Sequence, residues 1–340
     1  VRNSLRTISA SLTAALLWLV PSVCQADQPA QPDHCESVSI SVLLGALAGT
    51  LCLPDSGPTG TVMVLMAGSN YNHTYWDFPY QPETYNFRRA MNAGGYATLV
   101  VDRLGNGAST RPPSATLTAT GSAAALHQVV QALRHGLAGH QPFDKVITGG
   151  HSLSSGFSVL EAVTFHDVDG VLLTGYSHTL DYLQVGSVVS TYYPAILDPR
   201  FIGRGYDPGY LTTRPGTRAA DFYGPGDFDP QVLATDEATK EVFSLTEYPD
   251  GLASTLPPVS NLIDVPVMVV DGSMDKLSCG PDFSICHDTA ALQAAEAPYF
   301  SPAAHLRTYV LPGSGHSVNL ALNTEDYQAA VLDWVNSTVR

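Results

Sequence analysis

Residues 146–158, VITGGHSLSSGFS, run from a β-branched start through two glycines to Ser152, and then into residues at helical spacing. They read as strand, sharp turn and helix, with Ser152 on the turn. A turn of this kind lifts a hydroxyl out of the end of a sheet, but strand and helix must then pass close together. Small residues two before and two after the serine meet that demand. Gly150 does so; Ser154 stands where a second glycine is usual, and serine is still small. Ser152 is the candidate nucleophile.

Outward from this segment, apolar β-rich runs alternate with helical patterns. Upstream, Thr61–Met66 (TVMVLM) reads as a buried strand, 83–93 as a helix ending at Gly94-Gly95, 96–101 (YATLVV) as a strand and 121–137 as a helix. Residues 145–148 give the strand before Ser152. Downstream come strands at Gly170–Thr174, 265–270 and 305–311, with helices at 290–297 and 325–335. Near-continuous apolar strands alternating with helices indicate a parallel sheet covered on both faces. The expected fold class is α/β, a mostly parallel, doubly wound sheet. The interval between 174 and 265 is longer than a crossover needs, and is rich in Tyr, Pro and Gly. Residues 176–260 are therefore expected to form a cap inserted over the C-terminal edge of the sheet, where ligands of such folds bind.

A serine hydroxyl attacks only after a base takes its proton, and the base must itself be oriented. The strand at 265–270 leads into Asp271-Gly272-Ser273-Met274-Asp275, which puts Asp275 in a turn beyond the strand end. Asp271 is its rival but sits at the strand terminus, less free to reach sideways; Asp282 is a weaker one. The strand ending at Leu311 leads into Pro312-Gly313-Ser314-Gly315-His316, a glycine-flanked histidine able to swing towards Ser152. Acyl transfer also needs backbone donors for a developing oxyanion. The N–H of Leu153, just after the nucleophile, is one candidate. The N–H of Ser69, in the Ala67-Gly68-Ser69-Asn70 loop after the strand at Thr61–Met66, is the other.

With these segments in place, the chain from Thr61 onward resembles the α/β-hydrolase superfamily, in which the catalytic residues follow in the order Ser, Asp, His. Asp102-Arg103-Leu104-Gly105-Asn106-Gly107-Ala108-Ser109 resembles the D-x-x-G-x-G-x-S loop after the fourth strand of that superfamily. Residues 68–78 (GSNYNHTYWDF), with the two cysteine pairs, resemble a group of exported bacterial and fungal members of poorly defined substrate. Many relatives carry His-Gly where this chain has Ala67-Gly68, but a backbone donor survives that change. The resemblance implies an acyl-enzyme mechanism, with ester-type substrates most frequent; the aromatic residues of the expected cap suggest an enclosed, apolar pocket for a small-molecule ester or lactone. A polyester or lipid esterase, a cofactor-free haloperoxidase-like enzyme and a non-catalytic binding protein on the same fold are the alternatives. Epoxide hydrolases and dehalogenases carry a carboxylate at the elbow, and Ser152 counts against them.

The 340 residues hold 16 basic and 31 acidic side chains, a formal charge of −15, which speaks against a nucleic-acid partner. Residues 1–26 read as a signal peptide: Arg2 and Arg6, the apolar AALLWLV run, and Cys24-Gln25-Ala26 as cleavage site. That run is too short to span a bilayer. Removal would leave a secreted domain at 27–340. Four cysteines remain in two local pairs, Cys35 with Cys52 and Cys279 with Cys286. An even count at short spacing in an exported chain suggests disulfides; neither pair has zinc-finger spacing. Tyr71, His73, Tyr75 and Trp76 either line a pocket or pack their own loop, and His151 is expected to pack. No metal or cofactor motif occurs, so neither is expected.

Overall fold

The computed structural model describes residues 34–54, 56–57 and 59–339; the signal peptide expected at 1–26 lies outside them. Eleven strands follow in chain order: β1 His34–Val42, β2 Gly45–Leu53, β3 Thr61–Met66, β4 Ala97–Val101, β5 Lys145–His151, β6 Gly170–Thr174, β7 Tyr192–Pro194, β8 Tyr210–Thr213, β9 Phe243–Ser244, β10 Val267–Gly272 and β11 Arg307–Leu311. Eight of them form one sheet in the order β1-β2-β4-β3-β5-β6-β10-β11. The pairs β1/β2 and β2/β4 are antiparallel, and every pair from β4 to β11 is parallel.

Strand parity shows why the central runs are apolar throughout. Val62, Val64 and Met66 of β3 join Ala97, Leu99 and Val101 of β4 in one core, under Leu126, Val129 and Val130 of the helix Ala119–Arg134. Met63, Leu65 and Val100 point the other way, into a second core with Trp76, Phe87, Tyr327 and Trp334. Both faces are covered, so β3, β4, β6 and β10 are buried along their whole lengths. At the edge of the sheet, β1 instead alternates, burying Val38, Ile40 and Val42 between more exposed residues.

Several boundaries differ from the sequence reading for local reasons. The helix expected at 83–93 is two, Pro82–Tyr85 and Phe87–Ala93. Asn86 breaks it with an extended backbone and caps the second helix by accepting the Arg89 N–H at 3.0 Å. Thr118 caps the next helix through the Gly121 N–H, starting it at Ala119 rather than 121. β10 begins after Pro266 and extends through Asp271 and Gly272, so Asp271 belongs to the strand itself.

The interval between β6 and β10 holds the helices Tyr182–Val189 and Pro230–Thr239 and a small antiparallel sheet, β7-β8-β9. Buried ion pairs hold it, Lys240 with Asp198 at 2.7 Å among them. Arg103, after β4, meets Glu247 at 3.1 Å, and Arg218 meets Asp236 at 2.6 Å. Disulfides join Cys35 to Cys52, directly opposed on β1 and β2, and Cys279 to Cys286. Among the described residues, no helix is long and apolar enough to cross a membrane.

Candidate active site

Ser152 joins β5 to the helix Leu153–Phe165 with φ 53° and ψ −121°, a backbone that a serine adopts only under constraint. Its N–H donates to the Thr174 carbonyl at 2.8 Å, and its own carbonyl accepts the Ser155 N–H at 2.9 Å. Gly150 is needed beneath the turn, because a Cβ there would run into the Ser154 carbonyl and the Ser155 nitrogen. Ser154, where a second glycine is usual, is fully buried and donates its hydroxyl to the Ala67 carbonyl at 2.6 Å. It thereby ties the turn to the loop that follows β3.

His316 lies in the loop after β11, and Asp275 in the turn after β10. Both are buried, and Asp275 Oδ2 stands 2.8 Å from His316 Nδ1. The other oxygen, Oδ1, accepts the N–H groups of Leu277 and Ser278 at 2.8 and 3.2 Å, which fixes the carboxylate. Asp271 faces elsewhere: its Oδ1 accepts the Tyr176 N–H at 3.0 Å, and its Oδ2 has no partner among the described residues. Asp282 is exposed on the disulfide loop. Ser152 and His316 line one cavity. No hydrogen bond yet joins the Ser152 hydroxyl to the imidazole among the described residues, and in ligand-free sites such bonds are often long.

Ser69 and Leu153 line the same cavity, and neither N–H has an acceptor among the described residues. For Leu153 this follows from its place in the first turn of a helix, where N–H groups lack intrahelical partners. Gly68 allows the close approach: a Cβ there would lie 2.8 Å from the His151 carbonyl oxygen and 2.9 Å from Ser152 Cβ. Arg103, held by Glu247, donates to the Gly68 carbonyl at 3.2 Å. The Ser69 hydroxyl lies 3.1 Å from that of Tyr248.

The cavity is largely apolar. Val185, Val188, Tyr192, Phe222, Tyr248 and Leu252 come from the interval between β6 and β10, so that segment shapes most of the wall. Tyr71 lines it too, with Arg218 4.2 Å above its ring and its hydroxyl 2.6 Å from Ser317 Oγ. His151 stacks on Tyr75 at 4.3 Å. Burial first, and His316 second, hold its imidazole well below the ordinary value, so it stays neutral. His73 and Trp76 do not line the cavity: His73 pairs with Asp102 at 2.8 Å, and Trp76 is core. The sequence reading missed Arg103–Glu247 and Arg218–Asp236. Their members lie 144 and 18 residues apart, and no local pattern links them.

Fold and site together define a class. The model of the alpha/beta hydrolase family matches residues 63–334, and the chain belongs to that family. Among solved structures it is similar to the alpha/beta hydrolase GrgF from Penicillium sp. sh18, at 16% identity and a TM-score of 0.60, covering 90% of this chain and 99% of that one. It is similar to the carboxylesterase CesB from Bacillus subtilis, at 14% identity and a TM-score of 0.57, with 89% and 92% covered. An enol-lactonase from Burkholderia xenovorans LB400 is also similar, at 18% identity and a TM-score of 0.55, with 86% and 97% covered. At these identities the likeness is one of fold. No curated protein matches the sequence.

Proposed function

We propose that this protein is an exported serine hydrolase that cleaves carboxylic esters or lactones of small to medium size through an acyl-enzyme. Ser152 Oγ attacks the acyl carbonyl while His316 Nε2 takes its proton. Asp275 accepts the Nδ1–H bond and steadies the imidazolium. The N–H groups of Ser69 and Leu153 hold the tetrahedral oxyanion. His316 then gives its proton to the departing alkoxide. In the second half, water attacks the acyl carbon with His316 again as base, freeing Ser152 and the acid.

One observation carries this reading: the strained Ser152 turn shares a cavity with His316, whose far nitrogen is held 2.8 Å from the buried Asp275. The apolar walls favour an uncharged acyl or alkyl group over a polar polymer chain. That the same fold occurs in a carboxylesterase and an enol-lactonase supports the substrate class. Two disulfides, with the expected signal peptide, support export.

Labelling by a fluorophosphonate tests the reading. The wild type should label and hydrolyse p-nitrophenyl esters or lactones, and Ser152→Ala should do neither. Equal labelling of the two would remove Ser152 as nucleophile.

A further inference from the structure

The helices Ala119–Arg134 and Leu153–Phe165 pack against each other. His127 from the first, Glu161 from the second and Asp167, just beyond it, converge between them. Glu161 is fully buried, and neither of its carboxylate oxygens has a hydrogen-bond partner among the described residues. His127 Nδ1 and Asp167 Oδ1 also lack one. His127 Nδ1 stands 2.8 Å from Asp167 Oδ2, at an angle that makes no hydrogen bond. One nitrogen and one oxygen from each acid thus lie within 4.8 Å of one another.

A buried carboxylate with both oxygens unmatched is costly, and buried charges are ordinarily paired or bound to a metal. The neighbours of the cluster are arranged as the supports of a ligand set would be. The His127 ring stacks on Phe165 with centroids 3.9 Å apart, and Gln131 donates to Asp167 Oδ2 at 2.5 Å. Such outer contacts fix the orientation of metal-binding side chains. His127 and Asp167 are partly exposed, while His127 Nδ1, Asp167 Oδ1 and both Glu161 oxygens are buried, so an ion enters by a movement of the outer side chains.

We propose that His127, Glu161 and Asp167 form a binding site for a divalent cation, zinc in the first place. One imidazole with two carboxylates suits zinc, whereas calcium and magnesium favour all-oxygen sets. Zinc bonds of about 2.0–2.2 Å put neighbouring ligand atoms roughly 3.4 Å apart, which this cluster reaches by small side-chain movements. Two carboxylates and a neutral imidazole also balance the charge of the ion. Glu161 is nine residues beyond Ser152, about 13 Å along the helix. The ion therefore clamps two helices and takes no part at Ser152. No sequence motif marks the site, because its ligands come from two helices and a loop.

The competing occupant is a proton. Without an ion, burial first and Asp167 second push the Glu161 carboxyl up to about 10. Calorimetric titration of the chelator-stripped protein with zinc chloride separates the two. The expected result is one zinc per chain, a raised melting temperature, and binding at least tenfold weaker in Glu161→Gln and His127→Gln. Both variants should keep wild-type ester hydrolysis, which shows that they are folded. Absence of stoichiometric binding in the wild type, or unchanged affinity in Glu161→Gln, overturns the proposal. Anomalous diffraction from wild-type crystals soaked in zinc gives a check free of variants. A peak between the three side chains supports the site, and a peak only elsewhere, or none, refutes it.

Discussion

Ser154 gives its hydroxyl to Ala67, so a departure from the usual glycine becomes a tether between the Ser152 turn and the loop carrying Ser69. Gly150 has no such freedom. Its Cβ would meet backbone rather than a movable side chain, so Gly150→Ala should destabilise by about 3 kcal/mol, measured as a lowered urea midpoint. Asp271 is a carboxyl without a charge partner. Burial first, then Asp275 and Glu296, push it well above the carboxylate range. The folded chain keeps a proton there that the unfolded chain releases near pH 4. Its contribution to stability therefore falls as pH rises from about 4 towards the folded pKa. Asp271→Asn removes that fall, so its urea midpoint relative to wild type should be higher at pH 8 than at pH 5. An equal difference at both pH values would show that Asp271 is ionised in the fold. Ser152, Asp275 and His316 could be named as candidates because each lies in a local turn with its own glycines or small residues. The choice of Asp275 over Asp271 depended on where β10 ends, and the strand runs two residues past the expected 270.

Elements were legible where periodicity was long and less so where a single side chain sets a boundary. Asn86 splits one expected helix because its side chain satisfies the Arg89 N–H better than a continued turn would. The two disulfides act on different elements, which gives opposite expectations. Cys35–Cys52 closes an 18-residue loop at the sheet edge, and Cys279–Cys286 an 8-residue loop. Loop entropy assigns them about 3 and about 2.5 kcal/mol. Yet the N–H groups that hold Asp275 come from Leu277 and Ser278, immediately before Cys279. Replacing Cys279 and Cys286 with alanine should lower kcat on an ester substrate, while replacing Cys35 and Cys52 should lower the melting temperature with kcat intact. The reverse pattern would show that the small loop does not position Asp275.

Across the whole molecule, the alternation of strand and helix made the parallel sheet readable, since β3, β4, β6 and β10 bury both faces. The interval over the cavity was readable only as an insertion. It is held by ion pairs and aromatic contacts between distant residues, and its many short elements carry no sustained period. The wall of the cavity, and with it the choice of substrate, is built from that least periodic part. At the opposite extreme lies β1, an edge strand of the sheet whose outer backbone pairs with no other strand among the described residues. A slip of one residue against β2 would turn Val38, Ile40 and Val42 outward. A covalent bond between directly opposed residues forbids that slip altogether. Such an edge is the part of a sheet most able to recruit a strand from another chain. By holding β1 in register, the cross-link fixes the shape of one of the two edges along which another strand could add.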